Sequence, residues 1–171
     1  MNSKIIAFAI EAHQNTNHLY DGKPYSVHLA LVVAYAQKYI DKVPEHYQEN
    51  VINACWLHDT IEDTRNTYND IKTISNETVA NIVYAVTNEK GKNRKERAND
   101  KYYQGIILEP FARFVKLCDR LANVKYSVDT NSRMIEVYRK ENEHFIKSLF
   151  DTDTFNYEDM LSELHGLLAI A

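Results

Sequence analysis

The stretch ACWLHDTIEDT, residues 54–64, places His58 beside Asp59 and then Glu62 beside Asp63, in a run that otherwise suits the packed side of a helix. His58 falls four residues after Ala54 and seven after Val51, so a helix here carries it on the apolar stripe. Residues four apart share a helical face, which stacks His58 over Glu62 and Asp59 over Asp63. Burying ionisable groups on such a face is costly. The motif therefore marks either a solvated face or a polar cavity inside the fold, and the other segments decide between the two.

Apolar residues recur at three- and four-residue spacing along most of the chain. Only four glycines and three prolines interrupt the 171 residues, which favours long helices over many-turned β structure. Ile6, Ile10 and His13 begin a first helix, and the polar loop NTNHLYDGKPYS follows, with Gly22 and Pro24 as breakers. Ser26 is the predicted N-cap of a second helix carrying His28, Leu31, Val32, Tyr35 and Tyr39 on one face. A third helix, roughly residues 46–61, holds the opening motif. Ser75 is predicted to cap a helix running through Val86. The charged segment NEKGKNRKERANDKYYQG then leads to a helix beginning near Pro110, since proline suits a first turn. Helices over Arg133–Phe150 and Asn156–Leu168 complete the chain. No internal repeat or linker stands out, so the expected architecture is one all-α domain spanning residues 1–171.

A formal charge of −4 argues against a nucleic-acid-binding protein. The N-terminal MNSKIIAFAIEAHQ is too short in its apolar part for a signal sequence or a membrane span. Cys55 and Cys118, both in apolar surroundings, read as core thiols of a reducing compartment, and the expected location is cytoplasmic.

Two further ionisable residues share the inward habit of His58. His28 lies one turn before Leu31 and Val32, and Asp119 lies four after Val115 and three before Ala122. Any one of them alone carries little information. Asp119, for instance, could pair with Lys116 or Arg120 instead. The joint pattern is stronger: His28, then His58-Asp59 30 residues on, then Asp119 61 further, each facing the core. Two imidazoles and two carboxylates make a first shell for a divalent transition metal with positions left for water. Glu62 and Asp63, one turn past His58-Asp59, are placed to orient or deprotonate an attacking water. Cys55 and His58 also form a C-x-x-H pair, but a buried cysteine is ordinarily a small hydrophobe.

GKPYSVH (22–28), LHDTIEDT (57–64) and VKLCDRLANVK (115–125) together resemble the HD-domain metal-dependent phosphohydrolases. Within them, HDTIEDT resembles the hydrolase domain of RelA/SpoT homologues, of the stand-alone small alarmone hydrolase type. The match runs from about Ala12 to Tyr138. The resemblance implies the HD-domain helical fold and a Mn²⁺ ion held by His28, His58, Asp59 and Asp119. It also implies removal of the 3′-pyrophosphate from guanosine tetra- and pentaphosphate, a small-molecule nucleotide substrate. Asn123 matches an asparagine near the nucleotide sugar. Arg133 and Tyr138 fall near a family arginine and tyrosine, with the spacing different by one residue.

The segment Glu89–Arg97 holds five basic residues, Arg94 and Arg97 among them, against two acidic ones. It reads either as a clamp for distal phosphates or as a solvated loop. One departure concerns the base. Where the family has a glutamine and an Arg-Lys pair, this chain has QNTNHLYDGKPY, with His18-Leu19 near that position. Leu29 also replaces the proline that follows the first metal histidine. An adenosine alarmone, NADPH or a nucleoside monophosphate therefore stays an alternative substrate, and a catalytically silent alarmone-binding module an alternative function.

Overall fold

Short polar side chains start many of the helices, as their capping chemistry requires. Asn2 accepts from the Lys4 amide at 3.1 Å to open α1 (Ser3–Gln14). Thr67 and Asp70 form a capping box on α5 (Tyr68–Ile74). Asn76 accepts from the Val79 amide at 3.0 Å to open α6 (Glu77–Val86), one residue past the predicted Ser75 cap. Asn93 and Asn99 do the same for α7 (Arg94–Arg97) and α8 (Asp100–Leu108). α7 and most of α8 lie within the segment, residues 88–105, that the sequence predicts as a charged connection.

The coordinates are a computed structural model that describes residues 2–151 and 155–170; the side chain of Lys95, in the basic segment, lies outside the described residues. Between α1 and α2 (Ser26–Lys38) the polar loop forms an antiparallel hairpin, β1 (Leu19–Tyr20) and β2 (Lys23–Pro24). Asp21 and Gly22 both have positive φ, 51° and 75°, as a tight two-residue hairpin turn demands. Ser26 is the first residue of α2 rather than its cap.

The predicted third helix is broken. It splits into α3 (Glu45–Leu57) and the single turn α4 (Thr60–Asp63), with Asp59 at φ −97°, ψ 0° between them. The Cys55 carbonyl at this break accepts from His58 Nδ1 at 2.9 Å. Pro110 lies in a turn, not in a first helical turn. Phe111 follows in the left-handed region, and α9 (Ala112–Asp129) begins after it. α10 (Met134–Phe150) and α11 (Glu158–Ala169) complete the order.

The architecture is all-α, with the hairpin as the one sheet among the described residues. α2 packs between α3 and α9, α6 covers α3, and α10 and α11 lie on α9. Leu29, Val32 and Val33 of α2 meet Val51, Ala54 and Leu57 of α3 and Phe114, Leu117 and Leu121 of α9 in the core. On α11, Glu163 accepts from Lys38 at 2.7 Å and from the Tyr39 hydroxyl, which fastens this helix to the end of α2. No described helix is long and apolar enough to cross a membrane.

Phe114 is 1% exposed in this core. Phe114→Ala is expected to destabilise the chain by about 3–5 kcal/mol, through lost transfer energy plus the cavity left behind. Urea unfolding of the two proteins checks it, and a change below about 1 kcal/mol would contradict the packing described.

Candidate metal centre and cavity

The centre is built where α2, the α3–α4 break and α9 meet. His28, one turn into α2, and His58, at the break, bring their Nε2 atoms within 3.2 Å of each other. Asp119 Oδ1, from α9, lies 3.3 Å from His28 Nε2 and 3.8 Å from His58 Nε2. Asp59 Oδ2 lies 2.9 Å from His58 Nε2 and 3.4 Å from His28 Nε2. The break in the helix is what allows this. It lets His58 and Asp59, neighbours in sequence, turn their polar atoms to one point. All four residues that the sequence nominates as metal ligands thus converge.

The donor set fits a divalent cation. His58 Nδ1 donates to the Cys55 carbonyl, which leaves the Nε2 lone pair facing the centre. His28, His58 and Asp119 offer ligand atoms within 4.8 Å of one another, and all three residues are buried. Burial disfavours charge on His28, but Asp119 and Asp59 outweigh it and push its pKa up to about 9. Burial likewise opposes charge on His58, yet Asp59 raises its pKa. Positive charge at this point is what the carboxylates demand, whether it comes as protons or as a metal ion.

The carboxylates are held from outside the cluster. The Tyr25 hydroxyl donates to Asp59 Oδ2, and burial together with the Asp59 charge pushes that phenol's pKa far up, so it stays a donor. Lys116 Nζ lies 2.9 Å from Asp119 Oδ2. Asn123 Nδ2 donates to Asp119 Oδ1 at 2.6 Å. Asp119 therefore does both things the sequence leaves open: it pairs with Lys116 and it faces the imidazoles. Arg120 turns elsewhere, to Glu141 at 3.3 Å.

A cavity of about 650 Å³ opens from the centre. Glu62, Asp63, Arg94, Arg97 and Arg120 line it together with His28, Asp59 and Asp119. Glu62 does not stack on His58. Its carboxylate is fixed by Asn88, whose amide donates to Oε2 at 3.1 Å and whose side chain donates to Oε1 at 2.8 Å. Burial, then the nearby Asp59 and Glu62 charges, push the Asp63 carboxyl up to about 7.

Tyr138 and Asn123 also line the cavity. Arg94 is held by Glu141 through two bonds of 2.8 and 3.0 Å. Arg97 carries a buried Nε with no hydrogen-bond partner among the described residues. His18 is not part of the lining. Its ring stacks on Tyr25 at 4.0 Å, and its Nδ1 lies 3.0 Å from His13 Nδ1 and 3.8 Å from Asp63. Arg133, exposed at the start of α10, is not part of the lining either. Sequence reading missed Tyr25, Asn88 and Glu141 as neighbours of the site. Tyr25 alone had a signal, lying one helical turn before His28.

A family model described as HD domain matches residues 6–144. The chain is 32% identical over 124 residues to the guanosine-3′,5′-bis(diphosphate) 3′-pyrophosphohydrolase MESH1 of Danio rerio, covering 70% of this chain and 65% of that protein. It thus spans just under two thirds of that relative's length. It is 38% identical over 122 residues to the guanosine-3′,5′-bis(diphosphate) 3′-pyrophosphohydrolase of Aquifex aeolicus, covering 69% of this chain and 16% of that one. A solved structure of a metazoan orthologue of SpoT, described as hydrolysing ppGpp and playing a role in starvation responses, superposes with a TM-score of 0.72. The superposition covers 100% of this chain and 98% of that one at 20% identity, which establishes a common fold. With the family model spanning most of the chain and the histidine and aspartate side chains converging on one point, the chain belongs to the HD-domain family.

Proposed function

We propose that this chain is a Mn²⁺-dependent hydrolase that removes the 3′-pyrophosphate from guanosine tetra- and pentaphosphate, giving GDP or GTP and pyrophosphate. The observation that carries the reading is the layout of one cavity. His28, Asp59 and Asp119 line it together with Glu62, whose carboxylate Asn88 fixes, and with Arg94, Arg97 and Arg120, while His58 Nε2 lies 3.2 Å from His28 Nε2. A doubly phosphorylated nucleotide needs a site for the reacting phosphate and a cationic site for the other. The names of the relatives support the same substrate.

His28, His58, Asp59 and Asp119 would hold the metal, which when bound supplies Lewis acidity toward a phosphoryl oxygen and makes a neighbouring water more acidic. Glu62, anchored by Asn88, orients the attacking water and accepts its proton, with Asp63 beside it. The water oxygen bonds to the phosphorus next to the ribose as the bond from that phosphorus to the ribose 3′-oxygen breaks, and the proton accepted by Glu62 passes to the departing ribose oxygen. Arg97 and Arg94, in the lining of the same cavity, neutralise the phosphates that do not react, and Tyr138 forms part of the wall against which the nucleotide rests. Residues 1–171 act as one domain, since Met160, Leu161 and Leu164 of α11 join the same core. The free, buried Cys55 and Cys118 support a cytoplasmic setting.

One observation keeps the base identity as a second question: His18, near the family's base-reading position, stacks on Tyr25, and Lys23 is engaged with the Tyr126 hydroxyl at 2.5 Å. A release assay across guanine alarmones, adenine alarmones and NADPH, with Mn²⁺ and with chelator, tests both points. Pyrophosphate is expected from guanosine tetraphosphate with Mn²⁺, with loss of at least about 100-fold in rate under chelation. Release of orthophosphate alone, or a rate indifferent to chelator, would sink the proposal. Faster turnover of the adenine compound would reassign the base.

A further inference from the structure

We propose that Tyr20 is a positioning residue for the metal-binding side chains, acting on His28 through its ring and on Asp119 through Asn123. The Tyr20 ring stacks on the His28 imidazole, with centroids 4.8 Å apart and planes at 28°. Its hydroxyl donates to Asn123 Oδ1 at 3.0 Å. Asn123 Nδ2 in turn donates to Asp119 Oδ1 at 2.6 Å and to the Asp119 carbonyl at 3.1 Å.

The direction of this chain of bonds matters. A side-chain amide has one accepting end and one donating end. With the hydroxyl donating to the oxygen, the NH₂ end must face Asp119. The reversed amide would set its oxygen against Asp119 Oδ1, two acceptors at bonding distance and both partly buried. Lys116 takes Asp119 Oδ2, so the carboxylate is fixed at both oxygens and presents Oδ1 to the imidazoles. Asn123, which the sequence associates with the nucleotide, has its amide engaged at both ends by the site itself.

The hairpin explains why Tyr20 can do this. Tyr20 pairs with Lys23 across the Asp21–Gly22 turn. The other side of the hairpin is tied to α9, where the Tyr126 hydroxyl donates to Asp21 at 3.1 Å and the Tyr126 ring lies 4.6 Å from Tyr20. Tyr20 is not part of the cavity lining, so its effect runs through the ligands and not through substrate contact. The inference rests on the metal-dependent part of the proposed function and is independent of which nucleotide is hydrolysed.

Titration of Mn²⁺ alone into the metal-stripped full chain, followed by calorimetry, tests it. Tyr20→Phe keeps the stacking and loses the hydroxyl. It is expected to weaken Mn²⁺ binding by about 10-fold, the low end of what losing a partner outside the ligand shell costs, because the hydroxyl acts on Asp119 through Asn123, while the melting temperature of the metal-free chain stays unchanged. In an Asn123→Ala background the same substitution is expected to cost less than about 2-fold, because the link is already cut. Tyr20→Ala, which also removes the stacking, is expected to weaken binding beyond Tyr20→Phe. Wild-type affinity in Tyr20→Phe, an equal loss in both backgrounds, or a wild-type chain that takes up no Mn²⁺ overturns the proposal. A chain that shows this coupling yet releases no pyrophosphate overturns the proposed function and leaves the positioning role standing.

Discussion

Asp119→Ala is expected to abolish pyrophosphate release and also to destabilise the metal-free chain by about 3–5 kcal/mol. The two effects have separate causes. Catalysis fails because a ligand that faces both imidazoles is gone, with its Oδ1 3.3 Å from His28 Nε2. Stability falls because Lys116, whose side chain is only 17% exposed, loses its partner at 2.9 Å and is left as a buried, uncompensated charge. Asp119 and its neighbours hold the Lys116 ammonium against burial, keeping its pKa well above the usual lysine range. Urea unfolding in the presence of chelator reads the second effect without metal. An unchanged midpoint there would mean that Lys116 finds water or another carboxylate, and the buried pair would be discarded as a stabilising element.

Glu62→Gln is expected to lower kcat by about 100- to 10,000-fold while Mn²⁺ affinity stays at the wild-type value. The substitution keeps the shape of the side chain and removes the base, but it leaves only one of the two acceptors that Asn88 uses, so one of those two bonds is lost with it. Parallel measurement of kcat and of metal binding distinguishes this role from ligation. A loss of Mn²⁺ affinity as large as the loss of kcat would make Glu62 a ligand, and unchanged kcat would remove it from the chemistry. Asn88 is the natural companion experiment. Asn88→Ala removes the side-chain bond to Glu62 Oε1 and keeps the backbone bond to Oε2, loosening the carboxylate without changing its charge, so a smaller fall in kcat is expected, of about 10-fold.

The helices around the site were legible because their apolar spacing is strong. α2, α6, α10 and α11 begin and end within a few residues of their predicted bounds. The two errors of consequence lie where local signals compete with tertiary ones. The run 54–64 reads as a continuous helix, since nothing in it is a helix breaker. Its interruption at His58-Asp59 serves long-range partners, Asp119 and the Tyr25 hydroxyl, that no local pattern contains. The segment 88–105 reads as a charged connection, with 89–97 either a phosphate clamp or a solvated loop, because it is rich in charge and poor in apolar spacing. In the structure it contains α7 and most of α8, with Arg94 fastened to Glu141 across 47 residues.

By itself the sequence determined the fold class and nominated His28, His58, Asp59 and Asp119 as inward-facing groups, because periodicity reports which residues face inward and a buried carboxylate needs a partner. It also pointed to Glu62 and Asp63 by their place one turn past His58-Asp59. Only the tertiary structure decided how those groups are held. It closes Asn88 onto Glu62, Lys116 and Asn123 onto Asp119, and the Tyr20 ring onto His28. Apart from that ring stack these are single hydrogen bonds or ion pairs, and the Tyr20 hydroxyl joins them by reaching Asn123 across 103 positions. Such details follow from how the hairpin and α9 meet, which helical periodicity does not encode.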